Sequence, residues 1–354
     1  MRQQTDRSGG TVSPAAEHIY GQIAWKRRVV LFCAAAAVLL MLLVDLSVGS
    51  SSLTLSDCVQ LLFAGPAAGG NRALIFWQIR CPMTFTCIGV GGCLALAGLE
   101  VQTITNNPLS SPYTLGISSG AGLGAALSIV TGFTILGTQW AGTVLMAFAF
   151  ALFVTGAIYL LGKQKGMSAQ TLVLSGIVMN FFFTALQQYL QYRASAEVAQ
   201  IISNWSFGNL SRASWTSAAA SILILAAGAL LLASQSWKLT ALNAGEERAH
   251  SLGIRVQRLK RFAFLVSAML IAGGVGFIGT VGFVGLVSPH IARLLAGEDQ
   301  RYLMPVSVLS GIFVMLAAST VSKLLTEGAM LPVGIVTSIV GVPFLFILLM
   351  REMR

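Results

Sequence analysis

The chain has 354 residues, of which 55% are hydrophobic and only 10% are charged, and its mean hydropathy is +0.79. Soluble domains carry roughly 25% charged residues, so this chain has too few charges to cover a surface in water. Lipid must be its main solvent, and the length divides best into spans of about 20 residues. Five cysteines without CxxC spacing and three scattered histidines argue against a metal site.

The first 28 residues are polar, and the first apolar run begins only at Val29. A cleavable signal peptide would place a short apolar stretch nearer the start, so the run 29–48 is predicted to be a retained span. Residues 1–28 then form an N-terminal segment, and 29–354 form an all-α, polytopic membrane domain. About ten transmembrane helices are predicted, at 29–48, 83–101, 113–131, 138–161, 171–190, 215–234, 262–277, 278–292, 302–322 and 331–350.

The basic residues fix the orientation of these spans. Ten spans place both termini on one side, and with that side inside, 17 Lys and Arg residues lie inside and 5 outside. This bias follows the positive-inside rule, so both termini are predicted to be cytoplasmic and the protein to be multi-pass in the inner (plasma) membrane. The net charge of +10 is thereby explained by topology, and nucleic acid is not an expected partner.

A weak internal repeat is visible at one ungapped offset of 181 residues. It aligns Gly92, Gly98, Pro108 and Gly116 with Gly273, Gly279, Pro289 and Gly297. Halves offset by five spans have opposite orientations, which is the inverted-repeat plan common among transporters. The repeat therefore predicts a transporter.

The most informative segment is ITNNPLSSPYTLGISSGAGLGAAL at 104–127. Asn107-Pro108 and Ser111-Pro112 cannot continue a helix, because proline lacks the N–H and restricts the residue before it. Two interpretations stay open at this point: a polar turn between spans, or a broken helix of the kind that marks a transport path.

This segment resembles the NPLAxPxxLGxSxGA signature of the FecCD-type permease family, the membrane subunits of type II ABC importers for ferric siderophores, haem and cobalamin. Further stretches resemble family motifs in the same order: FWQIRCPM (76–83), LSGIVMNFFFTAL (174–186), WSFGNLSRASW (205–215), LNAGEERAHSLGI (242–254), GFIGTVGFVGLVSPHIARLLAGEDQRYLMP (276–305) and LPVGIVTSIVGVPFLFILL (331–349). The resemblance extends over about residues 20–354.

The resemblance implies a fold like that of the cobalamin permease and a dimer with itself or with a similar permease. It also implies an ATP-binding subunit on the inside, a periplasmic substrate-binding protein on the outside, and surrounding membrane lipid. The cargo is expected to be an iron–siderophore or related chelate, with haem or cobalamin as the alternative. This chain is expected to bind no cofactor and no metal, because ATP is used by the partner subunit.

The resemblance also assigns roles to residues. The segment 239–261 is implied to be the cytoplasmic coupling loop that sits against the ATPase, through Ala244, Glu246, Ala249, Leu252 and Gly253. Docking of the binding protein is assigned to Arg80 and Lys323, for which snorkelling to the lipid headgroups is the plain alternative. The translocation path or gate is assigned to Asn107, Pro108, Ser168, Gln170 and Pro289.

Several positions depart from the family pattern or leave alternatives open. Met83 replaces the second arginine of the motif that contains Arg80, and Met330 replaces the glutamate before LPVG, although Glu327 is near. Gln300 replaces the histidine of DHR. Cys58 and Cys81 are able to share the outer face, so either a disulfide or apolar packing is open there.

Two other classes of protein were weighed against the importer. The chain contains no GxxxxGK[ST] phosphate-binding loop, so it is not expected to hydrolyse ATP by itself. An ion-coupled secondary transporter needs ionisable groups in mid-membrane, whereas Asp45 and Glu100 are expected near span ends. A membrane-embedded enzyme has little support, because no span carries paired His, Asp or Glu residues with catalytic spacing.

Overall fold

A computed structural model describes residues 14–49, 53–66, 69–135, 137–164, 168–325 and 330–352. In chain order its α-helices are α1 (Pro14–Ser47), α2 (Leu55–Ala64), α3 (Gly70–Ile75), α4 (Cys81–Thr105), α5 (Ile117–Thr131), α6 (Gln139–Gln164), α7 (Ala169–Arg193), α8 (Ala196–Ser206), α9 (Trp215–Ala233), α10 (Ser236–Asn243), α11 (Glu246–Ser251), α12 (Val256–Ile278), α13 (Val284–Ala296), α14 (Gln300–Leu324) and α15 (Val333–Glu352). A π-helical turn at Phe76–Arg80 joins α3 to α4.

The prediction of an all-α, multi-pass membrane protein is confirmed. Within the described residues, seven helical stretches are long and apolar enough to cross a membrane: α1, α3 with α4, α6, α7, α9, α12 and α14. The shorter apolar helices α5, α13 and α15 correspond to the other three predicted spans, and a fourth short apolar helix, α2, was not predicted. The largest boundary error is at α1, which begins at Pro14, so the described second half of the predicted N-terminal segment 1–28 is helical. Helix α12 likewise begins early, at Val256, so the last residues of the predicted coupling loop are helical.

Polar side chains start several of these helices. Thr54, Ser168, Ser195 and Ser214 each accept a hydrogen bond from the backbone of the first turn that follows, and Asp299 does the same for α14. Such N-caps satisfy amide groups that have no partner inside the helix. The short loops between spans therefore carry the signals that set where each span begins.

Helix α4 lies at the centre of the bundle, and glycine lets its neighbours approach closely. A Cβ on Gly98 would lie 1.8 Å from the carbonyl oxygen of Gly285 in α13. Pro289, four residues further along α13, has no N–H to bond that carbonyl. The freed oxygen instead faces Gly98, so the proline of one helix and the glycine of the other belong to one contact.

We expect Gly98→Ala to lower the melting temperature of the purified protein strongly, because the added methyl group cannot coexist with the carbonyl of Gly285. Gly156→Ala in α6 is the matched control, since nothing lies within 4 Å of a Cβ built there. That control should be neutral or stabilising by up to about 1 kcal/mol, because alanine favours helix over glycine. Equal melting temperatures for the two variants would contradict the close contact of α4 and α13.

The register predicted for the internal repeat is wrong. Pro108 lies in the linker after α4, whereas its predicted counterpart Pro289 lies inside α13. Gly116 precedes α5 as its N-cap, whereas Gly297 follows α13 as its C-cap. The reason is that residues 106–116 separate α4 from α5, while the shorter segment 279–283 separates α12 from α13, so no ungapped offset aligns both helix pairs.

Candidate translocation groove and coupling surface

The linker 106–116 turns back into the bundle. Asn106 has a φ of 46°, and the side-chain oxygen of Asn107 accepts a hydrogen bond of 2.9 Å from the backbone of Leu109. Ser110, Ser111 and Leu115 are buried. A solvated turn between spans would expose these residues, so the geometry favours the broken-helix interpretation of this segment.

Glycine allows the end of this linker to pack on α7. Gly116 has a φ of 69°, and a Cβ there would lie 2.7 Å from the carbonyl oxygen of Gly176. In turn, a Cβ on Gly176 would lie 2.6 Å from the backbone of Thr114 and Leu115. The two glycines thus set the depth at which the linker enters the bundle, because neither position has room for a side chain.

A second non-helical junction lies where α8, α12 and α15 meet. The backbone of Gly334 donates to the carbonyl of Phe207 at 3.0 Å, and Val333 donates to the carbonyl of Gly208 at 2.8 Å. The hydroxyl of Thr280 donates to the carbonyl of Ser206. These bonds satisfy backbone groups that helix ends would otherwise leave open inside the membrane domain.

The linker and this junction line one groove of about 710 Å³. Its hydroxyl groups come from four elements, with Ser111, Thr114, Thr280 and Ser338 among them, and Tyr113, Phe207, Phe283 and Ile339 supply apolar surface. None of the described residues that line it is charged. The groove can therefore accept hydrogen-bonding and apolar groups, but it offers no counter-ion.

Helix α8 was missed by sequence reasoning, although it supplies Ser206 to this groove. It is an 11-residue amphipathic helix with Ile202 and Trp205 on its buried side. Gln187 of α7 donates to Ser206 at 2.7 Å, and Gln191 donates to Ser203 at 2.6 Å. Both glutamines thus join α7 to α8. The signal that was available is the N-cap Ser195 followed by apolar residues at helical spacing.

None of the residues assigned to the path is among the described residues that line the groove. Asn107 and Pro108 are in the linker just before Leu109, which does line the groove. Ser168 and Gln170 are exposed at the start of α7, and Pro289 is buried inside α13. Their roles in transport stay predictions, because position alone does not test them.

The segment predicted to couple to the ATPase forms two short helices, α10 and α11, ahead of α12. Ala249 and Leu242 are buried on their inner side, while Glu246 and Leu252 are exposed. Lys260 of α12, itself buried, forms an ion pair with Glu246 at 2.5 Å. This pair ties α11 to the first turns of a membrane-spanning helix.

A polar network joins α10 to the ends of α4 and α13. Asn243 of α10 donates to Glu298, and Arg293 of α13 approaches the same carboxylate at 3.4 Å. Arg293 also donates to the side-chain oxygen of Gln102 in α4. Glu298 therefore connects α10 to Arg293.

Asp299 anchors the start of α14 beside this network. Its carboxylate accepts hydrogen bonds from Arg301 at 2.8 Å and from Arg27 of α1 at 3.2 Å. Burial raises the pKa of Asp299, but the hydrogen bonds and charges of the two arginines outweigh it and hold the pKa below its ordinary value. At pH values above the unfolded-state pKa of Asp299, the ionised carboxylate therefore stabilises the folded protein. This stabilisation is lost as the pH falls through the pKa of Asp299 in the folded state.

Arg80 and Lys323 are not exposed on the rim in this structure. Arg80 is 4% exposed and donates to the carbonyls of Leu46 and Ser47 at 2.7 Å each, which covers the last turn of α1. Lys323 donates to the carboxylate of Asp45 at 2.8 Å. Both cations therefore hold α1 within the bundle, and their role in docking stays a prediction.

Asp45 and Glu100 lie near span ends as expected, but the inference that these ends meet water is wrong. Asp45 and Glu100 are fully buried, together with Arg80 and Lys260. The error arises because closeness to a span end was equated with contact with water, whereas neighbouring helices cover these ends. At the same outer end, Cys58 and Cys81 are buried as free thiols, so of the two alternatives apolar packing is the one observed.

Within the described residues, a bundle of apolar α-helices with non-helical breaks and a groove without charged lining is typical of a membrane permease. The sequence profile described as the FecCD transport family matches residues 37–351, and the chain belongs to this family. It is therefore a permease of an ABC transporter and not itself an enzyme, and an ion-coupled secondary carrier is not supported.

Curated relatives and a solved structure agree with this assignment. An ABC transporter permease of Methanocaldococcus jannaschii is 37% identical over 87% of this chain and 90% of its own length. The cobalamin import permease BtuC of Halobacterium salinarum is 34% identical over 86% and 80%. A structure described as an inward-facing conformation of a metal-chelate type ABC transporter superposes with a TM-score of 0.79 at 27% identity, covering 91% of this chain and 98% of that one.

Proposed function

We propose that the chain is the permease subunit of an importer that carries an iron–siderophore complex or a related metal chelate. The observation that carries this proposal is the groove of about 710 Å³ without a charged residue in its described lining. A chelate that encloses its metal presents mainly hydroxyl and apolar groups, which such a lining can accept. A bare oxyanion would lose its hydration without gaining a counter-ion, which is unfavourable by several kcal/mol.

Energy would come from ATP hydrolysed by a separate ATP-binding subunit seated against α10 and α11. The exposed Glu246 and Leu252 on these helices support the proposal, because they offer a charged and an apolar contact on one surface. The distribution of Lys and Arg supports placing this surface, and both termini, on the cytoplasmic side of the inner membrane.

The remaining partners are a substrate-binding protein outside and a second permease subunit. Helix α15, which lines the groove, exposes Ile339, Val340 and Phe346, and this supports a second copy that covers the groove. On the outer face, Arg72 is 69% exposed, so it is a more accessible cation for docking than Arg80 or Lys323 in this conformation.

The proposal is tested by reconstituting the chain in liposomes with its ATP-binding subunit and its binding protein. We expect ATP-dependent uptake of a radiolabelled iron–siderophore complex, with no uptake when the ATP-binding subunit carries a substitution of its phosphate-loop lysine. Haemin, cobalamin and molybdate are supplied in parallel. Uptake of molybdate in preference to every chelate would contradict the cargo class, and uptake driven by an ion gradient alone would contradict ATP coupling.

A further inference from the structure

Glu100 is a fully buried carboxylate that this conformation leaves without a hydrogen-bond donor. It lies one turn from the end of α4, and neither of its side-chain oxygens has a partner among the described residues. A buried carboxyl group in that situation is unfavourable in its ionised form, and it keeps its charge only in a state that supplies a partner. Glu100 therefore points to a contact that is absent here.

Arg293 of α13 is the charged group that acts on Glu100. Its guanidinium is engaged elsewhere, by the side-chain oxygen of Gln102 and by the carboxylate of Glu298 at 3.4 Å. Glu298 in turn accepts a hydrogen bond from Asn243 of α10. The choice of partner for Arg293 is thus linked to the position of a coupling helix.

The two helices that carry Glu100 and Arg293 both lead to the groove. Helix α4 continues into the linker, whose Ser111 and Thr114 line the groove. Helix α13 begins directly after Phe283, which lines the groove together with Leu286 of α13. The backbones of α4 and α13 are in close contact at Gly98 and Gly285, with no side chain between them. A small displacement of α13 along α4 therefore changes this contact. A change at Arg293 can therefore alter the groove wall.

We propose that Arg293 is a positioning residue that exchanges Glu298 for Glu100 when the ATP-binding subunit moves α10. The proposal rests on the proposed function, because it requires an ATPase partner at α10 and α11. In the present conformation Arg293 is held by Glu298 near the inner surface. When Asn243 draws Glu298 away, the guanidinium binds Glu100, and α13 shifts against α4. The exchange links ATP-driven movement at the surface to opening or closing of the groove.

The exchange predicts that Glu100 and Arg293 form a direct, hydrogen-bonded ion pair in only one state of the transporter. The complex with the ATP-binding subunit is prepared without nucleotide and with ATP trapped by a hydrolysis-deficient ATPase. Melting temperatures are measured for Glu100→Gln, Arg293→Met and the double variant in both states. We expect the two shifts to add without nucleotide, and the double variant to lose clearly less than their sum with ATP, because a shared interaction is removed once.

A parallel cycle with Glu298→Gln should show the opposite dependence, with non-additivity only in the nucleotide-free complex. Glu197→Gln, the same change on the exposed surface of α8, is the control and should be additive with Arg293→Met in both states. In transport, Glu100→Gln should retain ATP hydrolysis while uptake per ATP falls about tenfold, the order expected when a close charge pair selects one state.

If Arg293 had a constant structural role, its coupling to Glu100 would be the same in both states or absent from both. Either result would overturn the exchange. If Arg293→Met does not assemble, Arg293→Lys keeps the charge with a shorter reach, and its coupling to Glu100→Gln is measured in its place. Failure of the exchange is distinguishable from failure of the proposed function, because the wild-type complex is first required to show ATP-dependent uptake. A wild type without such uptake overturns both.

Discussion

Lys323→Met is expected to lower the free energy of unfolding by about 3–5 kcal/mol, because it removes the cation that forms an ion pair with the buried carboxylate of Asp45. Asp45 is completely buried, and the side chain of Lys323 is only 5% exposed. The hydroxyls of Thr84 and Thr320 still donate to Asp45, but neutral donors do not replace the lost charge. The melting temperature in detergent should therefore fall by many degrees.

Two comparisons make this prediction specific. The double variant Asp45→Asn with Lys323→Met should be more stable than either single variant, since it removes both charges of this buried pair together. Arg72→Met breaks an exposed ion pair with Asp57 at 3.7 Å and should change the melting temperature little. If Lys323→Met melts like Arg72→Met but slows association with the binding protein, the residue acts in docking and not in holding α1.

The spans were predictable because lipid imposes one rule along the whole chain. A helix inside hydrocarbon needs about 20 apolar residues, so composition alone located α6, α7 and α9 to within a few residues. The linker was also predictable, since Pro108 and Pro112 exclude a continuous helix. These features are local, and the residues that cause them are neighbours in the sequence.

Partners across the fold were not predictable in this way. Lys323 meets Asp45 across 278 positions, and Arg293 meets Gln102 across 191. No periodicity encodes such contacts, because they arise only when α14 packs on α1 and α13 packs on α4. The same limit applies to the surroundings of Pro289. A proline is tolerated inside α13 because the carbonyl that it frees faces Gly98 of another helix.

Leu252→Asp is expected to uncouple the transporter or to prevent its assembly with the ATP-binding subunit. Leu252 follows α11 and is 57% exposed, which is unusual for a leucine at the end of a helix whose Ala249 is fully buried. If the ATPase covers this side chain, an aspartate would place an unpaired carboxylate in the contact and weaken it on the order of a hundredfold or more. Gly253 is left unchanged, because its φ of 76° would strain any side chain.

The measurement is co-purification with the ATP-binding subunit, followed by ATP hydrolysis and uptake in liposomes. Gln164→Asp adds the same charge to an exposed position at the end of α6, away from α10 and α11, and should leave assembly intact. The melting temperature of the isolated Leu252→Asp chain should match the wild type, since the exposed side chain has little packing to lose. Normal assembly and uptake in Leu252→Asp would mean that the ATPase does not contact this part of the chain. The coupling surface would then have to be sought outside α11.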